Sequence, residues 1–300
     1  MTSIIGKARE YGVGQAQRGH KSISNLLQRT RANARMRDPA FAPRRKLAQT
    51  LDRTPWHGFI PKDSGARRFD ANTLPGTKDV VAACQNIITD RAEEFARMRE
   101  SSGKSYLVNV LKEDDFEGYP ALVDFALSES MIDAVSSYLG YLPRLGTINL
   151  LVSSPGKIVK GSQWLHTDAG DPDNVKCFVN ITDVAANNGP LNVLPRNESL
   201  KFRRKVWNIS GTGKYADANY QRHIDSDAFI RNVGPSGSGM LADTSKCFHF
   251  GGRVETGMRG MLVVHYSRFS FGRNHLPTNT QRTRWSTSPI RKELLMIDDT

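Results

Sequence analysis

Cysteine is scarce: Cys84, Cys177 and Cys247 are the three in 300 residues. An odd number with no C-x-x-C pair excludes a disulfide framework and a zinc knuckle, and leaves reduced core thiols as the expectation. Long apolar runs are missing too. None approaches the roughly eighteen residues of a membrane helix. The opening MTSIIGKAREYGVG carries charge too early, around too short an apolar core, for a secretory signal. A cytoplasmic protein is expected. No internal repeat or low-complexity tract stands out, so no solenoid or fibrous class is indicated.

What is present suits a globular chain, with 38% hydrophobic residues and a mean hydropathy of -0.47 in 33.4 kDa. The net charge of +12 is unevenly placed. Residues 1–70 hold 15 Lys and Arg against 5 Asp and Glu, so they carry +10 and the rest of the chain is near balance. This basic leader contains SISNLLQRTRANARMR (22–37), where Ile23, Leu26 and Leu27 fall on one stripe of an Arg-rich helix. It then breaks up through Pro39, Pro43, Pro55 and Pro61. It lacks aromatic interleaving, so no specific nucleic-acid partner is predicted. The expectation is a solvated arm, partly docked on the domain, with an anionic surface as its possible contact.

Residues 1–75 are read as that arm, partly extended or helical, and 76–300 as a single domain. Helices are expected over 77–140. Val80, Val81, Cys84, Ile87, Ile88, Phe95 and Met98 recur at helical spacing within 77–101, and two shorter helices follow near 119–127 and 129–139, the second capped by Gly140. After Pro143 the texture changes to short β-rich runs punctuated by turns, at 146–154, 175–183, 189–195, 237–244, 246–252 and 257–266. The expected fold is mainly β with flanking helices, a sandwich or barrel core over 145–270. A polar stretch at about 197–235 reads as an inserted lid, and the segment from about 271 as a surface tail or late helix.

The chemistry concentrates in WLHTDAGD (164–171). Residues two apart on an extended segment point the same way, so His166 and Asp168 can grip one metal ion; a polar pair that only bonds a turn is the competing reading. A third ligand must come from another strand. Of the other histidines, His20 and His57 lie in the basic leader, whereas His249 is followed by Gly251-Gly252 and, ten positions on, by Arg259. A hairpin centred near 254 would set His249 almost opposite Arg259, whose planar fork suits the far end of a dicarboxylate that chelates the ion. Two His and one carboxylate leave open positions on one face of the metal, as in non-haem Fe(II) oxygenases.

The blocks SQWLHTDAGDPDNVKCFVNITDVAANNGPLNVLP (162–195) and ADTSKCFHFGGRVETGMRG (242–260) resemble the phytanoyl-CoA dioxygenase family of Fe(II)/2-oxoglutarate-dependent oxygenases. The likeness lies in Trp164 to Asp168, Ile181 to Val184, Gly189 to Leu191 with Pro195, and Asp243-Thr244 to His249 and Arg259, over roughly 118–270. It implies a double-stranded β-helix, a cupin-like jelly roll, with Fe(II) held by His166, Asp168 and His249. It also implies Arg259 on the distal carboxylate of 2-oxoglutarate and Asn149 as a further hydrogen bond to it. Departures are present: Leu165 separates Trp164 from His166, Gly251 and Met261 stand where relatives carry a hydroxyl, and Pro195-Arg196-Asn197-Glu198 replaces Pro-Gly-Ser-His. Thr182, Tyr266 and Ser267 are the candidate substitutes for the missing hydroxyl. Cys247, which could approach the iron, and His265, which could replace His249 as ligand, are read as packing residues of their strands; Arg253, Arg268 and Arg273, which could receive an anionic substrate, are read as solvated.

The implied activity is hydroxylation of an unactivated C–H bond of a small-molecule substrate, consuming O2 and 2-oxoglutarate and releasing succinate and CO2. Asp168, where related halogenases carry a small residue, points to hydroxylation. Two rivals stand beside it: a jelly-roll metabolite-binding protein without redox turnover, and a cupin-like isomerase or hydrolase using zinc or manganese.

Overall fold

A computed structural model describes residues 41–101, 107–156, 161–168, 171–206, 214–269 and 276–296. The Ile23–Leu27 stripe of the basic leader, His20, Arg273 and His275 lie outside them. The strands are β1 (Ala66–Phe69), β2 (Leu107–Asn109), β3 (Arg144–Ser153), β4 (Leu165–His166), β5 (Asn174–Asn180), β6 (Leu191–Val193), β7 (Lys214–Tyr215), β8 (Ile230–Arg231), β9 (Gly239–Asp243), β10 (His249–Gly251) and β11 (Arg259–Ser267). They form two antiparallel sheets, one in the order β1-β9-β5-β11-β3-β2 and one in the order β7-β4-β10-β6-β8. Sheet neighbours are mostly distant in sequence, as in a jelly roll, and helices flank the larger sheet.

Alternation along the central strands makes the layers. On β11, Leu262, Val264 and Tyr266 join the helix-side core, while Met261 and Val263 face into the space between the sheets. β5 divides the same way, with Val175, Cys177 and Val179 outward and Phe178 inward. The helix-side core receives Val80, Cys84, Ile87, Leu122, Phe125, Met131 and Val135. The last of these helices, Glu129–Leu139, starts on Ser128, whose hydroxyl accepts Met131 N–H, and stops at Gly140 with φ 80°, the left-handed turn that glycine permits.

The helical periodicity of 77–101 is interrupted: helices Thr77–Asp90 and Ala92–Ser101 meet at Arg91. The Arg91 guanidinium forks onto the Asp115 carboxylate and also donates to Val110 O (2.6 Å). A tertiary ion pair thus coincides with the break. Within 197–235 the chain is more than a polar loop. Helix Arg196–Lys205 and the segment behind it place Phe202, Val206, Tyr215 and Tyr220 against Leu165 and Phe248, an aromatic core on the outer face of the smaller sheet. The late segment forms helices Asn279–Arg282 and Pro289–Leu295 and buries Trp285, Leu294 and Leu295. No helix among the described residues is long and apolar enough to cross a membrane.

Part of the basic leader belongs to the sheet. β1 pairs with β9 from Ala66–Ala242 to Phe69–Gly239, with Arg67 and Arg68 exposed. A Cβ on Gly239 would meet the Phe69 ring at 2.3 Å, so the ring occupies the space that glycine leaves. Phe69 is 4% exposed. Phe69→Ala is expected to cost about 3–5 kcal/mol of stability, measured by denaturant unfolding; a change within experimental error would mean that β1 contributes little to the sheet.

Candidate metal centre

His166 on β4 and His249 on β10 are register partners, and their ring centroids lie 4.4 Å apart. Their neighbours Leu165 and Phe248 face the outer aromatic core, so alternation turns both imidazoles inward. Each Nδ1 bonds a carbonyl two residues back in its own chain, Trp164 O at 2.7 Å and Cys247 O at 3.1 Å. A carbonyl can only accept, so Nδ1 carries the proton and each Nε2 keeps a free lone pair. Asp168 Oδ1 lies 3.9 Å from both Nε2 atoms. The three ligand atoms all fall within 4.8 Å of one another, a donor set that can hold a metal ion.

Burial lowers the pKa of both imidazoles, His249 to about 4, and keeps them neutral at ordinary pH. Burial works to raise the Asp168 carboxyl, yet the Lys176 ammonium and then His249 hold it well below the usual carboxylate range. Lys176 Nζ is 2.7 Å from Asp168 Oδ2. Its register partner His265 is lowered to about 3 by burial, and His265 Nε2 lies 2.7 Å from Asn174 Oδ1.

Arg259 reaches the site by another route than the hairpin expected from sequence. β10 pairs with β4 and β6, whereas β11 pairs with β3 and β5 in the other sheet. Arg259 therefore approaches across the interior, because the chain passes between sheets at 252–258. It is 4% exposed; its guanidinium donates to Gly189 O and, at 2.9 Å, to Ser153 Oγ, while Nε has no partner. Its pKa is lowered to about 10 by burial alone, with no carboxylate acting on it. A Cβ on Gly251 would stand in ordinary contact with Arg259 Nη2 and Ser162 O at 3.9 Å, so the strand two residues past His249 borders a recess at the guanidinium. That recess is lined also by Ser153, Ser154, Gln163 and Gly252, and the Ser154 hydroxyl is buried without a partner.

The candidate hydroxyls lie elsewhere. Thr182 Oγ1 accepts Gly260 N–H, Tyr266 OH donates to Ala126 O in the helix-side core, and Ser267 Oγ donates to Phe269 O. Asn149 bonds Thr147 and Asn109 on the inner wall. The hydroxyl beside Arg259 belongs to Ser153, its register partner on β3. Nothing in the spacing marks Ser153, since only strand register brings it there. Lys176 did leave a signal, a lysine of the same parity as Phe178 flanked by the apolar Val175 and Cys177. Cys247 is a core thiol, with Sγ 3.4 Å from Ser64 O and its pKa pushed up to about 12 by burial. Two other expectations of solvated groups give way to ion pairs, Arg253 with Asp217 and the buried Arg268 with Asp173.

No family model and no curated protein matches the chain. Among solved structures, it is similar to EctD from S. alaskensis in its apoform (14% identity, 76% of this chain and 87% of that one, TM-score 0.48). It is also similar to HygX from Streptomyces hygroscopicus with nickel and 2-oxoglutarate bound (13%, 73% and 88%, TM-score 0.47) and to the α-ketoglutarate-dependent carbocyclase SnoK (14%, 73% and 85%, TM-score 0.43). Likeness at this level decides nothing about the chemistry, and the architecture rests on the strand pairing above.

The depressed His265 fixes the sign of a pH effect. The unfolded chain takes up this proton near pH 6.5 and the folded chain only near 3, so its contribution to stability is lost as the pH falls through that window. Asp171, raised to about 6 by burial, works the other way, so the comparison must be with a variant. In His265→Gln the acid-side loss is expected to shrink by on the order of 3 kcal/mol relative to wild type. Parallel stability curves from pH 7 to 4 would contradict this.

Proposed function

We propose that the chain is an Fe(II)- and 2-oxoglutarate-dependent oxygenase of the phytanoyl-CoA dioxygenase type that hydroxylates an unactivated C–H bond of a small molecule. The observation that carries the reading is a His-Asp-His donor set beside a buried arginine on which no carboxylate acts. The donors fit the metal: two neutral imidazoles with free Nε2 lone pairs and an ionised carboxylate suit Fe(II) with open positions on one face. Bound there with 2-oxoglutarate and O2, the iron would supply the oxidising power that no side chain possesses.

The chain's own residues would do the rest. His166, Asp168 and His249 hold the ion. Arg259 and Ser153 receive the distal carboxylate in the recess that Gly251 borders, and its charge replaces the missing partner of the guanidinium. Phe178, Met261, Val263, Leu191 and Val193 form an apolar layer between the sheets that excludes water from the interior. Asn149, on the same wall, is left to orient co-substrate or substrate. A second reading, a metabolite-binding jelly roll without turnover, draws support from Lys176, whose ammonium already neutralises Asp168 without an ion.

Iron-loaded protein is expected to take up O2 and form succinate from 2-oxoglutarate, slowly alone and faster with substrate. Arg259→Ala should weaken 2-oxoglutarate binding about a hundredfold, and Ser153→Ala about tenfold. Calorimetric titration reads both. O2 consumption indistinguishable from free iron, with 2-oxoglutarate affinity indifferent to Arg259, would hand the case to the binding protein.

A further inference from the structure

We infer that Lys176 locks Asp168 as a one-oxygen ligand, its ammonium holding Oδ2 so that Oδ1 alone faces the metal. This rests on the metal-site part of the function proposed above. Asp168 lies beyond the end of β4, where its N–H donates to Thr244 O at 2.9 Å. That bond anchors the backbone, and the carboxylate is held separately, by side-chain hydrogen bonds from Lys176 and Thr244. The two oxygens have different surroundings. Oδ1 is equidistant, at 3.9 Å, from the two imidazole Nε2 atoms, whereas Oδ2 is 2.7 Å from Lys176 Nζ.

Lys176 belongs to the other sheet. On β5 it stands between His265 of β11 and the buried Ala242 of β9, and its side chain spans the interior to Asp168. The ion pair therefore ties the two sheets together at the candidate centre. A carboxylate with a free second oxygen can bind an ion through both. On this site the second oxygen would occupy a position that a two-His, one-carboxylate set otherwise leaves open for co-substrate or O2. An ammonium on Oδ2 prevents that, but places a positive charge close to a divalent ion. Lys176 gives up metal affinity in exchange for open coordination positions.

The sign of that exchange makes it testable. Full-length wild type, Lys176→Met and Lys176→Arg, all stripped of metal, are titrated with cobalt(II) chloride alone, whose visible spectrum reports its coordination. The Met variant is expected to bind cobalt(II) about tenfold or more tightly than wild type, because a repelling charge is gone and Oδ2 is released from the ammonium, and to show an altered spectrum. The Arg variant keeps both charge and donor, and should stay within about threefold of wild type with the wild-type spectrum. A lysine that only braces the fold gives the opposite sign, weaker binding in the Met variant. Weaker or unchanged binding, a wild-type spectrum in the Met variant, or an Arg variant that follows the Met variant overturns the inference. Should the Met variant melt before it can be titrated, Lys176→Gln, which also lacks the charge, takes its place under the same criteria. Wild type that takes up no cobalt overturns this inference and the proposed function together. Cobalt uptake with the expected spectra, but no succinate from the iron-loaded chain, overturns only the function.

Discussion

The site depends on one antiparallel pair, His166 facing His249 across β4 and β10, with each ring's Nδ1 tied to a carbonyl of its own chain. What fixes that pair is apolar. Leu165 and Phe248 turn outward into a cluster where Phe248 stacks edge-on with Phe202 at 5.1 Å and Phe250 with Phe229 at 5.4 Å. A slip of one residue in either strand would throw the aromatic side chains inward and an imidazole out to this cluster, so burial of the outer face enforces the inner one. The described residues 196–206 and 214–229 are thus a structural cover for the strands that carry the imidazoles, whatever further part they take in admitting ligands.

Much of this was legible from residue order, and the reasons differ by element. β11 is readable because MLVVHY alternates two apolar environments, and Glu129–Leu139 because Ser128 and Gly140 mark its ends. His166, Asp168 and His249 were nominated by residue type and spacing, and the fold brings them together. β1 was hidden, since ARRF is short, half of it is arginine, and its partner β9 lies some 170 residues away. Ser153 was hidden because it meets Arg259 only through strand register. The hairpin expected near 254 failed for a topological reason: in a jelly roll, consecutive strands often belong to opposite sheets, so closeness in sequence says little about pairing.

The break at Arg91 and the pairing of Asp168 with Lys176 illustrate one limit of local reading. Periodicity describes how a segment meets a generic apolar surface, whereas a charged side chain in a half-buried place is positioned by its counter-ion. Arg91 meets Asp115 from 24 residues away, and Lys176 meets Asp168 from the opposite sheet. In both cases the sequence shows the charge and withholds the partner.

Charge also ties the parts of the site to one another. Before any ligand enters, the described residues put two cations in the interior, Lys176 paired with Asp168 and Arg259 with no carboxylate acting on it, which leaves a positive excess. A divalent cation alone would deepen that positive excess, and a dicarboxylate alone would meet Arg259 at one end while its other end found two neutral imidazoles. Entering together, the ion and the dianion offset each other in a medium where unpaired charge is costly. On the proposed reading each therefore raises the affinity for the other, a coupling that follows from reciprocity and needs no movement of the fold. What remains for the rigid sheets is to keep the His-Asp-His set and the arginine recess at a fixed separation, so that one small dianion can reach both.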